Sequence, residues 1–191
     1  MTDVNIPKEQ WALVSTSKGV LQVKKIPVPE PANGQILIKV HASPINPSDL
    51  YCMKGMYDEF DVFRSNYPTV AGWEGSGVVV KSGGGMMANR CVGRNVSFVR
   101  EPQGNVFVHG GAYQQYAIAN AMTVNYVDDS IPLDVASMSF VNPLTALGLF
   151  EAIGKNSTKA AIQTGAASQL GRMLCQLCKE GNIPLINIVR R

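Results

Sequence analysis

The sequence is short of the features that mark several large classes of protein. Only 16% of its 191 residues are charged, with 17 Lys and Arg against 14 Asp and Glu, and the basic residues are scattered. No basic run interleaves with aromatics, so there is no footprint for nucleic acid. No stretch approaches the ~20 apolar residues that a membrane-spanning helix needs. The opening residues, Met1-Thr2-Asp3-Val4-Asn5-Ile6-Pro7-Lys8-Glu9, hold neither an apolar signal core nor an Arg-rich segment, so neither a secretory nor a typical transit segment is expected. The four cysteines, at 52, 91, 175 and 178, do not form a disulfide framework. Reduced thiols point to an intracellular compartment, with the cytoplasm expected and a mitochondrial home left open. Histidine is nearly absent, and His41 and His109 stand alone in strand-like segments. What is present is a 46% hydrophobic chain, which fits a soluble globular protein with one full domain and a piece of another.

The most informative stretch runs from Lys159 to Arg191. A short apolar run, Ala160 to Gln163, ends at Thr164-Gly165. Leu170, Leu174, Leu177 and Cys178 then fall on one face of a 3.6-period helix. Gly181-Asn182 closes that helix, and Pro184 lies just beyond. A second apolar run, Leu185 to Val189, follows. Strand, Gly turn, helix and strand make a βαβ unit. Cys175 and Cys178 form a CxxC inside the helix, with Cys178 on the apolar face and Cys175 off it, which reads as buried or half-buried free thiols.

The turn Gly165-Ala166-Ala167-Ser168-Gln169-Leu170-Gly171 is a dinucleotide fingerprint with Ala167 in the place of the middle Gly. A small residue there lets the backbone approach a pyrophosphate, and helix N–H groups bind the anion. Arg191 lies 20 residues after Gly171, with Arg190 beside it. At that distance an acidic residue selects NAD, whereas Arg suits the 2′-phosphate of NADP. The bland alternative is a basic strand end in solvent.

Upstream, Gln10 to Val14 and Leu21 to Ile26 read as strands joined by a turn at Ser17-Lys18-Gly19. Pro27 to Pro31 is a stiff connector. In Gln35 to Ala42, Ile36, Ile38 and Val40 alternate with Leu37, Lys39 and His41, the period of a strand with one buried face. Val70 to Val80, Val92 to Val99, Val106 to His109 and Ala112 to Ile118 are further strand candidates. Short strands punctuated by Gly and Pro suggest a barrel-like β domain. From Ile131 the pattern turns helical. Ser130 or Asp129 is expected to cap one helix, with Pro132 in its first turn, and Asn142 to cap a second. The fold class is α/β with an all-β part. Residues 1–128 form the β domain, and 129–191 hold linker helices and the βαβ unit.

Six segments in order resemble the medium-chain dehydrogenase/reductase superfamily: Pro44 to Leu50, Gly55-Met56-Tyr57, Ala71 to Val79, Gly111-Ala112-Tyr113, Asn142 to Ala146 and Gly165 to Gly171. The resemblance implies a GroES-like β-barrel domain and then a Rossmann domain, a doubly wound parallel sheet, present only as its first βαβ unit. Relatives continue past residue 191, with later strands that complete the sheet and a last segment that finishes the β domain. The chain looks closest to the zinc-free branch of quinone oxidoreductases and NADPH-dependent 2-enoyl thioester reductases. Zinc-dependent members carry Cys and His where this chain offers Ser48 and Trp73. Indole has no lone pair for a metal and a hydroxyl is a poor zinc ligand, so no metal is expected.

By that resemblance the reaction passes hydride from NADPH to a polarised C=C, or to a quinone. Tyr57 occupies the place of the proton donor in enoyl thioester reductases; a loop Tyr packed at the domain edge is the alternative. Asn46 resembles the Asn that reaches the nicotinamide, or is a turn residue before Pro47. Thr145 and Asn142 match positions near the cofactor. A sheet ending after its second strand presents an open apolar edge, which calls for a second copy or a partner protein. A reduced relative serving as an accessory subunit of a larger assembly is the rival to an enzyme.

Overall fold

The computed structural model describes residues 5–57, 67–100, 111–155 and 160–190. The expected strand Val106 to His109, with His109, and the candidate Arg191 lie outside the described residues. The chain divides into two compact units, Met1–Met138 and Ser139–Arg191.

Among the described residues the first unit holds two antiparallel sheets. β1 (Glu9–Ser17), β2 (Val20–Pro27) and β4 (Thr69–Val70) form one, in the order β2-β1-β4. β3 (Gln35–Ala42), β5 (Glu74–Ser82), β6 (Asn95–Val99), β7 (Tyr116–Asn120) and β8 (Asn125–Tyr126) form the other, in the order β7-β3-β5-β6-β8. A bridge between Ala12 and Gln114 links β1 to the segment that leads into β7. Ile36, Ile38, Val79, Val96, Phe98, Ala117 and Ala119 fill the larger core, and Ala12, Val14 and Val70 the smaller. Among the described residues three short helices, α1 (Pro47–Met53), α2 (Met86–Cys91) and α3 (Leu133–Ala136), decorate this unit.

Several local expectations are corrected. Val70 to Val80 is not one strand. Gly72, at φ 97°, turns a sharp corner, and the chain leaves the β1 sheet at Val70 to enter the larger sheet at Glu74. The strand expected at Ala112 to Ile118 begins only at Tyr116 and runs to Asn120. β3 does not bury one face alone, because Leu37 is as buried as Ile36 and Ile38. β3 lies between β7 and β5 and is also packed by α2 and α3. Neither Ser130 nor Asp129 caps α3. Pro132 holds the N-cap position with no side-chain cap, and Asp128 instead accepts from the Ser130 N–H and hydroxyl in the turn before it. α3 packs against β3, β5 and β6.

The second unit holds α4 (Val141–Lys155), β9 (Ala161–Thr164), α5 (Gln169–Glu180) and β10 (Leu185–Ile188). Asn142 lies inside the first turn of α4 and is not its N-cap. β9 and β10 pair in parallel, Ala161 with Leu185 through Thr164 with Ile188. The apolar side of α5 is the expected one: Leu174 and Cys178 are buried and Leu170 and Leu177 half-buried. Gly181 caps its C-terminus and Asn182 takes the left-handed conformation that turns the chain away. On the sheet, Gln163 donates to the Gly171 carbonyl (3.1 Å) and to Asn187 Oδ1 (2.6 Å), joining β9, α5 and β10. Ile162, Ile186 and Ile188 share the other face of the two strands, and Ile162 is 66% exposed.

A Cβ added at Gly72 would stand 2.7 Å from the Tyr113 ring and 2.9 Å from the Tyr113 nitrogen. With the positive φ, Gly72→Ala is expected to cost about 2 kcal/mol or more. Urea unfolding at neutral pH measures it, and a loss under about 0.5 kcal/mol would show that the corner relaxes freely.

Candidate functional site

In the second unit, the turn from β9 into α5 has the shape the Gly-rich pattern demands. Gly165 takes φ 63°, which a side chain rarely adopts. Ser168 is the N-cap of α5, and its hydroxyl accepts the Gly171 N–H at 3.0 Å. A Cβ on Gly171 would meet the Ala166 Cα and the Gly165 and Ala166 carbonyl oxygens at 2.7 Å, so the last Gly permits close packing of helix on strand. Ala166 is buried, while Ala167, Ser168 and Gln169 are exposed. Thr164, Gly165, Ala167, Ser168, Ile188, Val189 and Arg190 line an open groove of about 540 Å³. The structure therefore brings together the turn and Arg190, at the carboxyl ends of both parallel strands. That is where open α/β sheets bind ligands. The size falls within the usual range for small-molecule sites.

Asn142 and Thr145 do not lie in that groove's wall. Asn142 is half-buried in the first turn of α4, and Thr145 is exposed, its hydroxyl donating to the Val141 carbonyl at 2.6 Å.

In the first unit, Asn46 and Tyr57 flank α1. The sequence Asn46-Pro47-Ser48-Asp49 starts the helix as a cap, a Pro in the first turn and an acid at the third position. Asp49 Oδ2 accepts the Asn46 N–H at 2.7 Å, and its Oδ1 accepts the Trp73 N–H at 2.9 Å. The Asn46 amide donates to Glu74 Oε1 at 3.1 Å. Asn46 is thus a buried, hydrogen-bonded cap. Tyr57 is half-buried, and its ring meets the Trp73 indole edge-on, with centroids 6.5 Å apart and planes at 75°.

Around these residues lies a buried polar network that the sequence did not disclose. Asp49 and Glu74 are each 1% exposed and Arg100 7%. The Arg100 guanidinium donates to the Thr69 hydroxyl at 3.0 Å and lies 5.7 Å from the centre of the Trp73 ring. The Tyr113 hydroxyl donates to the Pro44 carbonyl at 3.0 Å and stands beside Asp49. Burial raises the Asp49 carboxyl above its ordinary range, opposed by hydrogen bonds from Asn46, Tyr113 and Trp73 and by the Arg100 charge. Burial, then the Asp49 charge, pushes the Tyr113 phenol well up. Burial lowers Arg100, while Cys52 and Asp49 hold it up. Asp49, Cys52, Trp73 and Arg100 border a small cavity between α1 and the Gly72 corner.

The carboxylate oxygens of Asp49 accept backbone N–H bonds, the Asn46 amide is engaged with Glu74, and Trp73 offers no lone pair. Among the described residues no group of three or more His, Cys, Asp or Glu is placed to hold a metal ion.

An antiparallel β unit followed by a parallel βαβ unit with a Gly-lined turn defines a two-part α/β class of protein. The chain belongs to the alcohol dehydrogenase GroES-like domain family, which matches residues 32–129, within the medium-chain dehydrogenase/reductase superfamily. It is 30% identical over 179 residues to the mitochondrial enoyl-[acyl-carrier-protein] reductase of Arabidopsis thaliana, covering 90% of this chain and 43% of that protein. It is 31% identical over 179 residues to a probable quinone oxidoreductase of Schizosaccharomyces pombe, covering 91% and 50%. A mycobacterial protein solved in complex with NADPH superposes with a TM-score of 0.76 at 26% identity, over 95% of this chain and 53% of that one. The chain thus spans about half the length of the curated relatives it matches.

The raised Asp49 pKa has a definite sign. Its stabilising contribution is fully present below the ordinary value of 3.8 and is lost as pH rises through the higher folded value. Asp49→Asn removes this titration and sets an amide N–H against one of two backbone donors, at a cost of about 1–3 kcal/mol. The variant is expected to be less stable than the parent near pH 4, with the gap narrowing toward neutrality in urea unfolding. A gap that widens with pH contradicts this.

Proposed function

We propose that the protein is an NADPH-dependent, zinc-independent oxidoreductase that reduces an activated C=C, as in a 2-enoyl thioester, or a quinone. The observation that carries this reading is the groove in which the Gly165–Gly171 turn and Arg190 stand together. The residues fit the cofactor: the turn leaves no room for a Cβ at Gly171, as a pyrophosphate-binding turn requires. Exposed Ala167, Ser168 and Gln169 would present the helix N-terminus to the phosphates, and Leu170 would brace the turn. Arg190, with Arg191 next to it in sequence, would hold the 2′-phosphate through charge-assisted bonds. Bound there, NADPH supplies the hydride.

On the β unit, Tyr57 would supply the proton to the carbon next to the carbonyl, or steady the enolate oxygen by a charge-assisted hydrogen bond. The name of the Arabidopsis relative supports the enoyl thioester and that of the Schizosaccharomyces relative the quinone. Asn46 would act indirectly, as a buried cap that sets the start of α1, and Asn142 and Thr145 would lie near the nicotinamide end of the cofactor. The exposed apolar row Ile162, Ile186 and Ile188 supports a covered sheet in the working protein, by a second copy or a partner.

Two variants test this reading. Arg190→Ala is expected to weaken NADPH binding about tenfold or more and leave NADH binding nearly unchanged, by fluorescence titration. Equal losses for both cofactors would remove Arg190 from the phosphate site. Tyr57→Phe is expected to lower kcat by about 10²-fold or more with an enoyl thioester while the NADPH dissociation constant stays put. Unchanged turnover would exclude Tyr57 as the donor.

A further inference from the structure

Tyr57 follows α1 after Gly55, which takes φ 66°. The Met56 N–H reaches the Tyr51 carbonyl. The Tyr57 ring meets the Trp73 indole edge-on, so the indole bears directly on the orientation of the phenol.

Trp73 is itself fixed from several directions. Its N–H is held by Asp49 Oδ1 at 2.9 Å, and its carbonyl accepts the Arg100 N–H at 2.6 Å. Its ring carries the Arg100 guanidinium 5.7 Å from the centroid. Arg100 is 7% exposed and anchored to Thr69. A planar guanidinium can lie on an indole and still direct N–H bonds sideways, which an ammonium cannot do. Burying a guanidinium is costly, and here the charge faces Asp49 and Cys52.

We propose that Arg100 is a positioning residue that acts through Trp73 to set the Tyr57 ring in the orientation for proton donation. The proposal rests on the reading of Tyr57 as the donor. It assigns a purpose to two residues: an indole between Gly72 and Glu74, and a buried arginine just past the end of β6. Arg100 touches neither substrate nor cofactor in this scheme. It freezes the indole, and the indole freezes the phenol.

The test uses the intact protein with Trp11→Phe, which leaves Trp73 as the single tryptophan. In that background Tyr57→Leu is expected to change the near-UV circular dichroism band of Trp73. Arg100→Gln is expected to collapse the same band, after which Tyr57→Leu adds little. With NADPH and either crotonyl-coenzyme A or a benzoquinone, Arg100→Gln is expected to lower kcat about tenfold or more with KM changed less than about twofold. Tyr57→Phe should then cost far less than it does with Arg100 present. Arg100→Lys, which keeps the charge and serves if the Gln variant does not fold, should show the same loss in weaker form.

A Trp73 band indifferent to both Arg100 variants overturns the proposal, as does full kcat in them. If Tyr57→Phe alone keeps full turnover, the donor role falls and the catalytic purpose with it. The band then still decides whether Arg100 orders the Trp73–Tyr57 pair.

Discussion

The Asp49 carboxylate takes the N–H of Asn46 with one oxygen and that of Trp73 with the other. Through this one side chain the start of α1 and the corner between the two sheets are fixed relative to each other. Burial makes the ionised form expensive, and two backbone donors with Arg100 nearby offset only part of that cost. Asn46 and Glu74 extend the network on one side, Tyr113 and Thr69 on the others. Tyr57 leaves the end of the same helix and packs on the same corner. The candidate donor is thus an outlying member of a network whose centre is a buried acid.

Much of the second unit was legible in the sequence because its signals are local. Leu170, Leu174, Leu177 and Cys178 declare a helix face, Gly181-Asn182 its end, and Gly165 and Gly171 the turn that precedes it. Each depends on chain geometry within a few residues. The first unit was harder to read. The break at Gly72 depends on the sign of one dihedral angle, which composition does not reveal. The short α1 was signalled by Asn46-Pro47-Ser48-Asp49, but those residues equally suit a turn. Asn142 was expected to cap a helix that begins one residue earlier, an ambiguity inherent in any run where Asn precedes Pro. Leu37 was assigned to the solvent side by alternation, and packing on both faces of β3 buried it.

Arg100 was not legible at all. A charged residue at the end of a strand normally faces water, and only the tertiary arrangement shows Thr69, Cys52, Asp49 and Trp73 gathered about it. The same holds for the pairing of Asn46 with Glu74, separated by many residues and by the corner at Gly72. The residues proposed to lie nearest the chemistry carry recognisable motifs, whereas those that would hold them in place are specified by packing.

In the second unit, the Gly165–Gly171 turn and Arg190 share one groove at the carboxyl ends of β9 and β10, where strand geometry and helix N–H groups favour a phosphorylated ligand. The first unit presents a phenol on a rigid aromatic corner. In the proposed reaction the turn would hold the hydride source and the phenol would supply the proton for one reduction. Its most direct test is isotopic: the intact protein is given NADPH carrying deuterium at the transferable position of the nicotinamide, with crotonyl-coenzyme A and, separately, a benzoquinone. For the thioester, mass spectrometry is predicted to find one deuterium at the β-carbon and a solvent proton at the α-carbon. Consumption of NADPH without label in the thioester product, or no consumption with either substrate, would contradict the account.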